Sequence, residues 1–577
     1  MTAGSGEAQR RAEEERTVGR ALRVPVAEAG WKRKVPGAGA REGKYDRNHR
    51  NRRMGMKSPA QVFQMIYGKI RKEWKAAFLG CFLAGLLVHM PVLLSDIPNH
   101  DGLASLYFDQ NMITSGRWFL TVACGISSYY TLPWVIGLLG LFYLGCAAAA
   151  VCELLEVRKT WAGALIGSLM AVFPAMASTF AYVFTLDGYM MGILLAVLAV
   201  LLTKKYSPGF LPGAVCLAFS MGIYQAYLPM AMILSLFSVL MLLAREGDGG
   251  KNVLRGKIRG ILNYLYMGIL GAGLYYGILQ VLLKIQGKQL DTYQGIDGMV
   301  AGTSTGRGIF RILADMYMDF FRFSFRGNVL FQNVFSAGAW VLLGVTAVWA
   351  AILWSRRRKY WKNPALLVIM VLVPLILPGA SNVILLVSPG VNYHLLMRYQ
   401  WVLYAVGAVA LGAGCRGEES GGAWPEWTGI LGASLLVFCY CITDNIAYTN
   451  LQRRYEKTYA YCVRLLDRIE QTEGYYQGIP IAMVGVVGDD PFPVTDLTLP
   501  VTSGMIGLSG DSLLYMGENY EIFIRNYLGA TLNILPAEAM EEMYYSEEYI
   551  AMDSFPGKNS IRVIGGIMYI KTENAAR

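Results

Sequence analysis

Acidic, basic and aromatic side chains gather in four short segments of this 577-residue chain, each lying beside long apolar runs. The first segment, residues 95–120, is the richest in them. Its ionisable side chains are Asp96, His100, Asp101, Asp109 and Arg117. A carboxylate can take the proton from an attacking hydroxyl group, and an arginine can hold a phosphate through charge-assisted hydrogen bonds. This segment therefore carries the groups that a transfer from a phosphate ester needs.

Three later segments add polar and aromatic side chains. Their candidate residues are Asp187, Tyr224, Gln225, His394 and Arg398. Aromatic rings can stack on the faces of sugars. The combined inventory suits the transfer of a sugar from a lipid phosphate to a hydroxyl group, with carboxylates, arginines and aromatic rings meeting on one side of a membrane.

Each of these residues also has a purely structural explanation. Asp101 or Asp109 could cap a helix, and Arg117 or Arg398 could extend its charged end to lipid headgroups. Polar residues in membrane proteins are costly and are therefore often functional. The presence of the whole set on one side favours a site over a series of unrelated caps.

The composition indicates a membrane protein. Hydrophobic residues make up 54% of the chain and charged residues 16%, with a mean hydropathy of +0.37. Soluble globular chains carry about 25% charged residues, so a soluble protein is excluded, as are collagen, coiled-coil and small disulfide-rich classes. Repeated apolar runs of about 20 residues predict a polytopic helical protein. Eleven spans are expected, at 76–95, 133–155, 161–184, 188–203, 209–224, 227–244, 260–283, 337–354, 364–387, 399–414 and 428–443.

The distribution of Lys and Arg predicts the orientation. Short loops with several basic residues alternate with loops that have almost none, apart from Arg117 and Arg398. Basic short loops face the cytoplasm. We therefore expect the N-terminus inside and, with eleven spans, the C-terminal region outside. The long segment 284–336 is also expected outside.

The net charge of +11 belongs to the N-terminal part, since residues 1–75 hold 19 Lys and Arg against 8 Asp and Glu. No nucleic-acid partner is therefore inferred. Residues 1–57 have the composition of a disordered tail, and translation could instead start at Met54 or Met56. Nine scattered cysteines form no metal-binding or disulfide pattern. No cofactor is expected, although a divalent ion on a carboxylate stays open.

After residue 446 the sequence no longer predicts membrane spans. Residues 451–473 predict an amphipathic helix, 479–487 a buried strand, and 560–564 and 567–571 two strands joined by Gly565 and Gly566. This region holds 17 acidic and 10 basic residues. The expected organisation is a tail (1–57), a transmembrane domain (58–446) and a small extracytoplasmic α/β domain (447–577).

Several ordered motifs resemble one family. They are Asn99-His-Asp-Gly-Leu, the Asp109-Gln-Asn-Met-Ile-x-Ser-Gly-Arg-Trp-Phe-Leu run, Ser127-Ser, Leu132-Pro-Trp, Thr185-x-Asp-Gly-Tyr-Met, Gly222-Ile-Tyr-Gln-Ala-Tyr and the ending Phe555-Pro-Gly-Lys-Asn-Ser-Ile-Arg-Val-Ile. Together they resemble the bacterial type II Gtr glucosyltransferase family over about residues 60–570. The resemblance implies a GT-C-like enzyme of the cytoplasmic membrane. Such an enzyme takes a sugar from a polyprenyl-phosphate donor and adds it to a surface glycan.

The resemblance implies that a first-loop carboxylate is the catalytic base. Many members carry two adjacent acidic residues there, whereas this chain has His100-Asp101, which singles out Asp101. The remaining candidates are assigned as follows: Asp109 as a second carboxylate of the catalytic site, Arg117 and Arg398 to the donor phosphate, and His100, Asp187, Tyr224, Gln225 and His394 to the sugar or the acceptor.

Two other classes of function stay open. A transporter or flippase of a lipid-linked glycan would need polar residues in mid-membrane and paired repeats with broken helices. A non-catalytic surface-assembly protein would use its C-terminal domain to bind glycan. The expected partners of an enzyme are a polyprenyl-phosphate-linked sugar, a glycan acceptor, the lipid bilayer and, upstream, a donor-synthesising enzyme and a flippase.

Overall fold

The computed structural model describes most of residues 58–572. The positions within this range that it leaves out are 96, 100, 104–106, 108, 110, 245–250, 291–308, 328, 359–363, 389–390, 416–422, 484–498, 503, 509–513 and 515–516. The predicted tail at 1–57 therefore lies outside the described residues.

Helices dominate the part of the chain before residue 471. Their bounds are α1 Pro59–Lys69, α2 Lys72–Leu94, α3 Leu120–Cys124, α4 Pro133–Leu154, α5 Thr160–Val172, α6 Pro174–Phe180, α7 Leu186–Lys205, α8 Phe210–Ile223, α9 Leu228–Ala244, α10 Lys251–Gln286, α11 Ile309–Arg326, α12 Val334–Arg358, α13 Pro364–Ser381, α14 Ile384–Val387, α15 Val402–Gly414 and α16 Trp424–Glu470. Short 3₁₀ turns occur at Ile113–Ser115, Gly125–Ser127, Val183–Thr185, Gln225–Tyr227 and Leu395–Trp401.

Eight of the described helical segments are long and apolar enough to cross a membrane. A ninth is α5 with α6, which bend by 52° at Phe173-Pro174, where proline cannot continue the hydrogen-bond ladder. All eleven predicted spans fall on helices, but α8 and residues 372–381 of α13 are shorter apolar helices. The polytopic helical class is confirmed, and the count of eleven stays a prediction.

Basic and acidic side chains at one end of the bundle form ion pairs. Arg71 lies 2.8 Å from Glu153, and Lys204 lies 3.0 Å from Glu156. Lys159 pairs with Glu426 at the start of α16. The loops that the sequence groups on one basic side therefore meet in space, and the first turn of α16 is among them.

Helix α11 lies within the segment 284–336, for which the sequence predicted only a long loop. One side of this helix is exposed and apolar, with Phe310 84% and Phe325 67% accessible. Another side packs against α13 and α14 and carries Asp319. Its apolar residues are interleaved with charged ones, so the segment contains no continuous apolar run.

Helix α16 is 47 residues long and so extends for about 70 Å. The predicted span at 428–443 and the predicted amphipathic helix at 451–473 are therefore one continuous helix. The domain boundary predicted at 446/447 falls inside it. The helix begins in the basic cluster and ends in the C-terminal region.

The C-terminal region contains a four-stranded sheet of β1 Pro480–Met483, β2 Asn533–Ile534, β3 Ile561–Ile564 and β4 Ile567–Ile570. The strand order is β2-β1-β4-β3. Strand β1 runs parallel to β2 and β4, while β3 and β4 form an antiparallel hairpin. Further helices are α17 Leu499–Thr502, α18 Gly517–Phe523, α19 Ala537–Tyr544 and α20 Glu547–Ile550, and a π-helix covers Ile524–Leu528. The predicted strands β1, β3 and β4 are present, whereas the two-residue β2 was not foreseen.

Candidate active site at the first loop

Arg117 lies on a platform of two tyrosine rings. Its Nη1 donates a hydrogen bond to the hydroxyl of Tyr189 at 3.2 Å, and its guanidinium lies 4.9 Å from the ring centre of Tyr224. The two rings stack with their centres 5.0 Å apart. Arg117 remains partly exposed, while Tyr224 is buried. The platform thus presents a cation at the surface, as recognition of a phosphate requires.

Gln225 fixes the turn that precedes Arg117. Its Nε2 donates to the carbonyl of Ser115 at 3.0 Å and to the hydroxyl of Tyr275 at 2.9 Å. That hydroxyl donates in turn to the carbonyl of Gly116 at 3.1 Å. Gln225 was predicted to line a sugar pocket, but its amide is engaged with the backbone of the first loop, so the geometry favours a positioning role.

Asp187 is fully buried at the start of α7. Its carboxylate accepts hydrogen bonds from the hydroxyl of Ser127 at 2.8 Å and from the backbone N–H of Gly188 at 2.9 Å. A carboxylate is also favoured at a helix N-terminus by the helix dipole. Asp187 therefore connects the end of the first loop to α7. The sequence suggested that Asp187 contacts the sugar or the acceptor, whereas its side chain is buried and bound by protein groups.

Asp101 is exposed in a turn formed by residues 101–103. The side chain of Asn99 organises this turn, since its Oδ1 accepts from the N–H of Gly102 at 2.7 Å and its Nδ2 donates to the carbonyl of Ala181 at 3.0 Å. Asn99 thus supplies the Asx contact that organises this turn.

Asp109 is also exposed, but it makes a local contact. Its Oδ1 accepts from the N–H of Asn111 at 3.0 Å, and its carbonyl accepts from the hydroxyl of Thr121. Asp101 and Asp109 are not joined by a helix at the described positions between them. Residues 101–103 form a turn, and Tyr107 pairs with Tyr130 in a β-bridge.

Arg398 is buried and engaged by protein groups. Its Nη1 and Nη2 contact the two carboxylate oxygens of Asp319 at 2.7 and 3.0 Å. Its Nε and Nη2 donate to the carbonyl of Tyr393 at 3.1 and 2.8 Å, and the Tyr393 ring centre lies 3.8 Å away. Four of the five N–H groups of an arginine are therefore directed at protein acceptors, which favours a positioning role over the predicted phosphate contact.

His394 is half-buried. Burial, reinforced by the charges of Arg117 and Arg398, lowers the pKa of His394 to about 4. The ring is therefore neutral at physiological pH. Its Nδ1 has no hydrogen-bond partner within the described part of the chain. His100, the other predicted histidine, lies outside the described residues.

Three residues of this region were not singled out from the sequence. Tyr189 lies within the Thr185-x-Asp-Gly-Tyr-Met motif, but no role was assigned to it. Tyr275 and Asp319 lie in segments whose sequence did not indicate a functional site. Within the ranges that the structure describes, no group of three or more His, Cys, Asp or Glu side chains could hold a metal ion.

The site can be compared with known proteins. The family model described as glucosyl transferase GtrII matches residues 90–411. This match covers more than half of the chain and includes Asp101, Arg117, Tyr189, Tyr224 and His394. No curated protein and no solved structure matches. The glucosyl transferase assignment agrees with the sequence resemblance, and the chain belongs to the GtrII glucosyl transferase family.

Proposed function

We propose that this protein is an inverting, GT-C-type membrane glycosyltransferase that moves a sugar, most simply glucose, from a polyprenyl-phosphate donor to a cell-surface glycan. The observation that carries the proposal is that the first loop presents both an arginine held on the tyrosine platform and an exposed carboxylate. Arg117 is hydrogen-bonded to the Tyr189 hydroxyl, and Asp101 is an exposed residue in the turn 101–103 of the same loop. A candidate base and a candidate phosphate-binding cation thus lie on one loop.

In the proposed reaction, Asp101 takes the proton from an acceptor hydroxyl as its oxygen attacks the anomeric carbon. The bond from that carbon to the phosphate oxygen breaks, and polyprenyl phosphate leaves as an anion. Arg117 stabilises this anion through charge-assisted hydrogen bonds. Attack from the face opposite the leaving group inverts the anomeric centre.

The other residues receive supporting roles in this proposal. Tyr224 and Tyr189 hold the guanidinium of Arg117, and the neutral ring of His394 borders the sugar together with His100. Asp109 is a weaker candidate for contact with the acceptor. Gln225, Asp187 and Arg398 position the loops through the backbone and side-chain contacts described above.

We propose that the site faces the outside of a bacterial cytoplasmic membrane, with the N-terminus inside and the C-terminal domain outside. Lys159 and Glu426 pair in the basic cluster at the start of α16, whereas Asn450 and Arg454, further along α16, contact residues 507–508. The basic cluster and the C-terminal domain therefore engage opposite ends of α16. Reporter fusions at about residues 250 and 500 should give opposite compartments, and the same compartment for both would contradict this orientation.

One observation bears on the alternative of a lipid-linked-glycan transporter. Asp444 in α16 is fully buried, and neither carboxylate oxygen has a hydrogen-bond partner among the described residues. Asp444 follows Trp424 by 20 positions, a rise of about 30 Å. In a helix that starts at one edge of a bilayer core of about 30 Å, this rise would place the carboxyl near the opposite edge. Transport normally uses sites at mid-membrane, which favours the enzyme.

The experiment that separates these functions uses purified protein in liposomes. A polyprenyl-phosphate donor with a radiolabelled glucose is added together with a surface-glycan acceptor. The enzyme should convert the donor to free polyprenyl phosphate and label the acceptor. A transporter would move the donor between leaflets with its sugar–phosphate bond intact, and that result would overturn the proposal.

A further inference from the structure

Leu103 joins the hydrophobic core of the C-terminal region. It follows Asp101 by two positions and is 2% exposed. The buried cluster that contains it otherwise consists of residues after position 454, and its members include Tyr461, Cys462, Leu465, Leu514, Phe523 and Met568. Among the described members, Leu103 alone comes from the first loop. One residue of that loop is therefore inserted into the core of a distant part of the chain.

A hydrogen bond holds the backbone at the same position. Asn526 donates from Nδ2 to the carbonyl oxygen of Leu103 at 3.0 Å, across 423 positions of sequence. Asn526 lies in the π-helix Ile524–Leu528. Such helices are rare and frequently occur at functional sites. The C-terminal region thus engages both the side chain and the main chain of Leu103.

The other flank of Asp101 is anchored to the membrane region. Asn99, two positions before Asp101, donates to the carbonyl of Ala181 at 3.0 Å and is fully buried. Asp101 is therefore an exposed carboxylate between two fixed residues. Asn99 is anchored to the membrane region and Leu103 to the C-terminal region.

The C-terminal region is itself fixed next to the same anchor. Arg454 of α16 donates to the carbonyl of Gly507 at 2.8 Å. Gly507 lies so close to Tyr182 that an added Cβ would be 2.8 Å from the tyrosine Cε2 and 3.4 Å from the Cβ of Ala181. Asn99 and Leu103, which hold the Asp101 turn, therefore contact parts of the protein that also contact each other. Movement of the C-terminal region relative to the membrane region would displace Asp101.

We propose that the C-terminal domain is a clamp on the first loop, and that Leu103 and Asn526 are positioning residues for Asp101. This inference rests on the proposed function, in which Asp101 is the base. It assigns a role to a domain that lies beyond the matched residues 90–411. A base displaced by about 1 Å can lose on the order of 100-fold in rate, so loosening the clamp should lower kcat. The donor KM should change little, because Arg117 is held by different contacts.

The test compares Asn526→Ala with a matched control in the same domain. Asn533 also donates its side-chain amide to a backbone carbonyl, that of Gly478 at 3.0 Å, but this bond joins two residues of the C-terminal region and involves no residue of the first loop. We expect Asn526→Ala to lower kcat by about 10-fold or more with the donor KM within about twofold, and Asn533→Ala to leave both constants unchanged. Leu103→Ala should resemble Asn526→Ala, provided that size-exclusion profiles show both variants folded.

A double variant separates positioning from a general structural effect. If Asn526 acts through Asp101, Asn526→Ala should produce no further loss in an Asp101→Asn background. An additional loss of the same size there, or wild-type kcat for a folded Asn526→Ala, would overturn the clamp. If Asp101→Asn itself retains normal turnover, the assignment of Asp101 as the catalytic base is wrong. This outcome is distinguishable from a failure of the clamp, which would appear only in the Asn526 variants.

Discussion

Arg398 and Asp319 form a two-point ion pair in which Nη1–Oδ2 and Nη2–Oδ1 are 2.7 and 3.0 Å apart. The pair joins α11 to the turn that opens the span Leu395–Gly414. The Arg398 side chain is only 6% exposed, so removal of Asp319 would leave a nearly buried, uncompensated charge. The geometry identifies this arginine as a link between two segments.

The ion pair predicts a stability effect at Arg398. Breaking a buried pair costs about 3–5 kcal/mol, whereas replacing both partners by apolar groups is often neutral. We expect Arg398→Met to lower the melting temperature in detergent by several degrees and Arg398→Met with Asp319→Leu to recover most of it. The double variant should also recover donor use. A stable double variant that cannot use donor would instead identify Arg398 as a phosphate ligand.

Replacement of Arg117 is expected to impair the use of the donor substrate. Because this guanidinium is partly exposed on the Tyr189–Tyr224 platform, Arg117→Ala should raise the donor KM or lower kcat by about 10-fold or more, the loss of one charge-assisted contact. Arg117→Lys should rescue only in part, since lysine keeps the charge but lacks the planar fork. Steady-state kinetics with purified protein checks this. Unchanged constants in the alanine variant would favour contact with lipid headgroups.

The turn before Arg117 requires glycine. Gly116 has a φ of +76°, and an added Cβ would lie 2.5 Å from Nε2 of Gln225. Gly116→Ala should therefore strain the backbone, displace Gln225 and reduce activity with little loss of expression. Gly268 in α10 is the matched control, because an added Cβ there would have no described atom within 4 Å and alanine favours helices. Equal activity in the two variants would show that the Gly116 turn does not position Arg117.

His394 predicts a dependence of stability on pH. Its pKa is lowered to about 4 in the folded protein, against about 6.5 in an unfolded chain, so the unfolded state binds the proton more readily between these values. The contribution of His394 to stability is complete above about pH 6.5 and declines as the pH falls towards 4. The melting temperature of the wild type should therefore fall more steeply over this window than that of His394→Asn, and parallel curves would contradict the assignment.

The spans and strands could be predicted from sequence, whereas the roles of several site residues could not. An apolar run of about 20 residues has one dominant explanation, so all eleven runs fall on helices. The carboxylate of Asp187 is different, because its role depends on a partner, Ser127, that lies 60 positions away. Arg398 and Asp319 are 79 positions apart. Tertiary packing sets such pairings, and neither residue type nor local spacing reveals them.

The role of Asp101 as the base is central to the proposed reaction, and Asp101→Asn tests it most directly. Asparagine has nearly the shape of aspartate, and the Asn99 contact that organises the turn stays in place, so this substitution removes the basicity with the smallest change of shape. Asp109→Asn is the matched control, since an asparagine oxygen can still accept from the N–H of Asn111. Turnover of both variants is measured in purified, lipid-reconstituted form. We expect kcat of Asp101→Asn to fall by about 100-fold or more, the scale of a general base, and Asp109→Asn to lose less. Near-normal turnover of folded Asp101→Asn would contradict the assignment of Asp101 as the base.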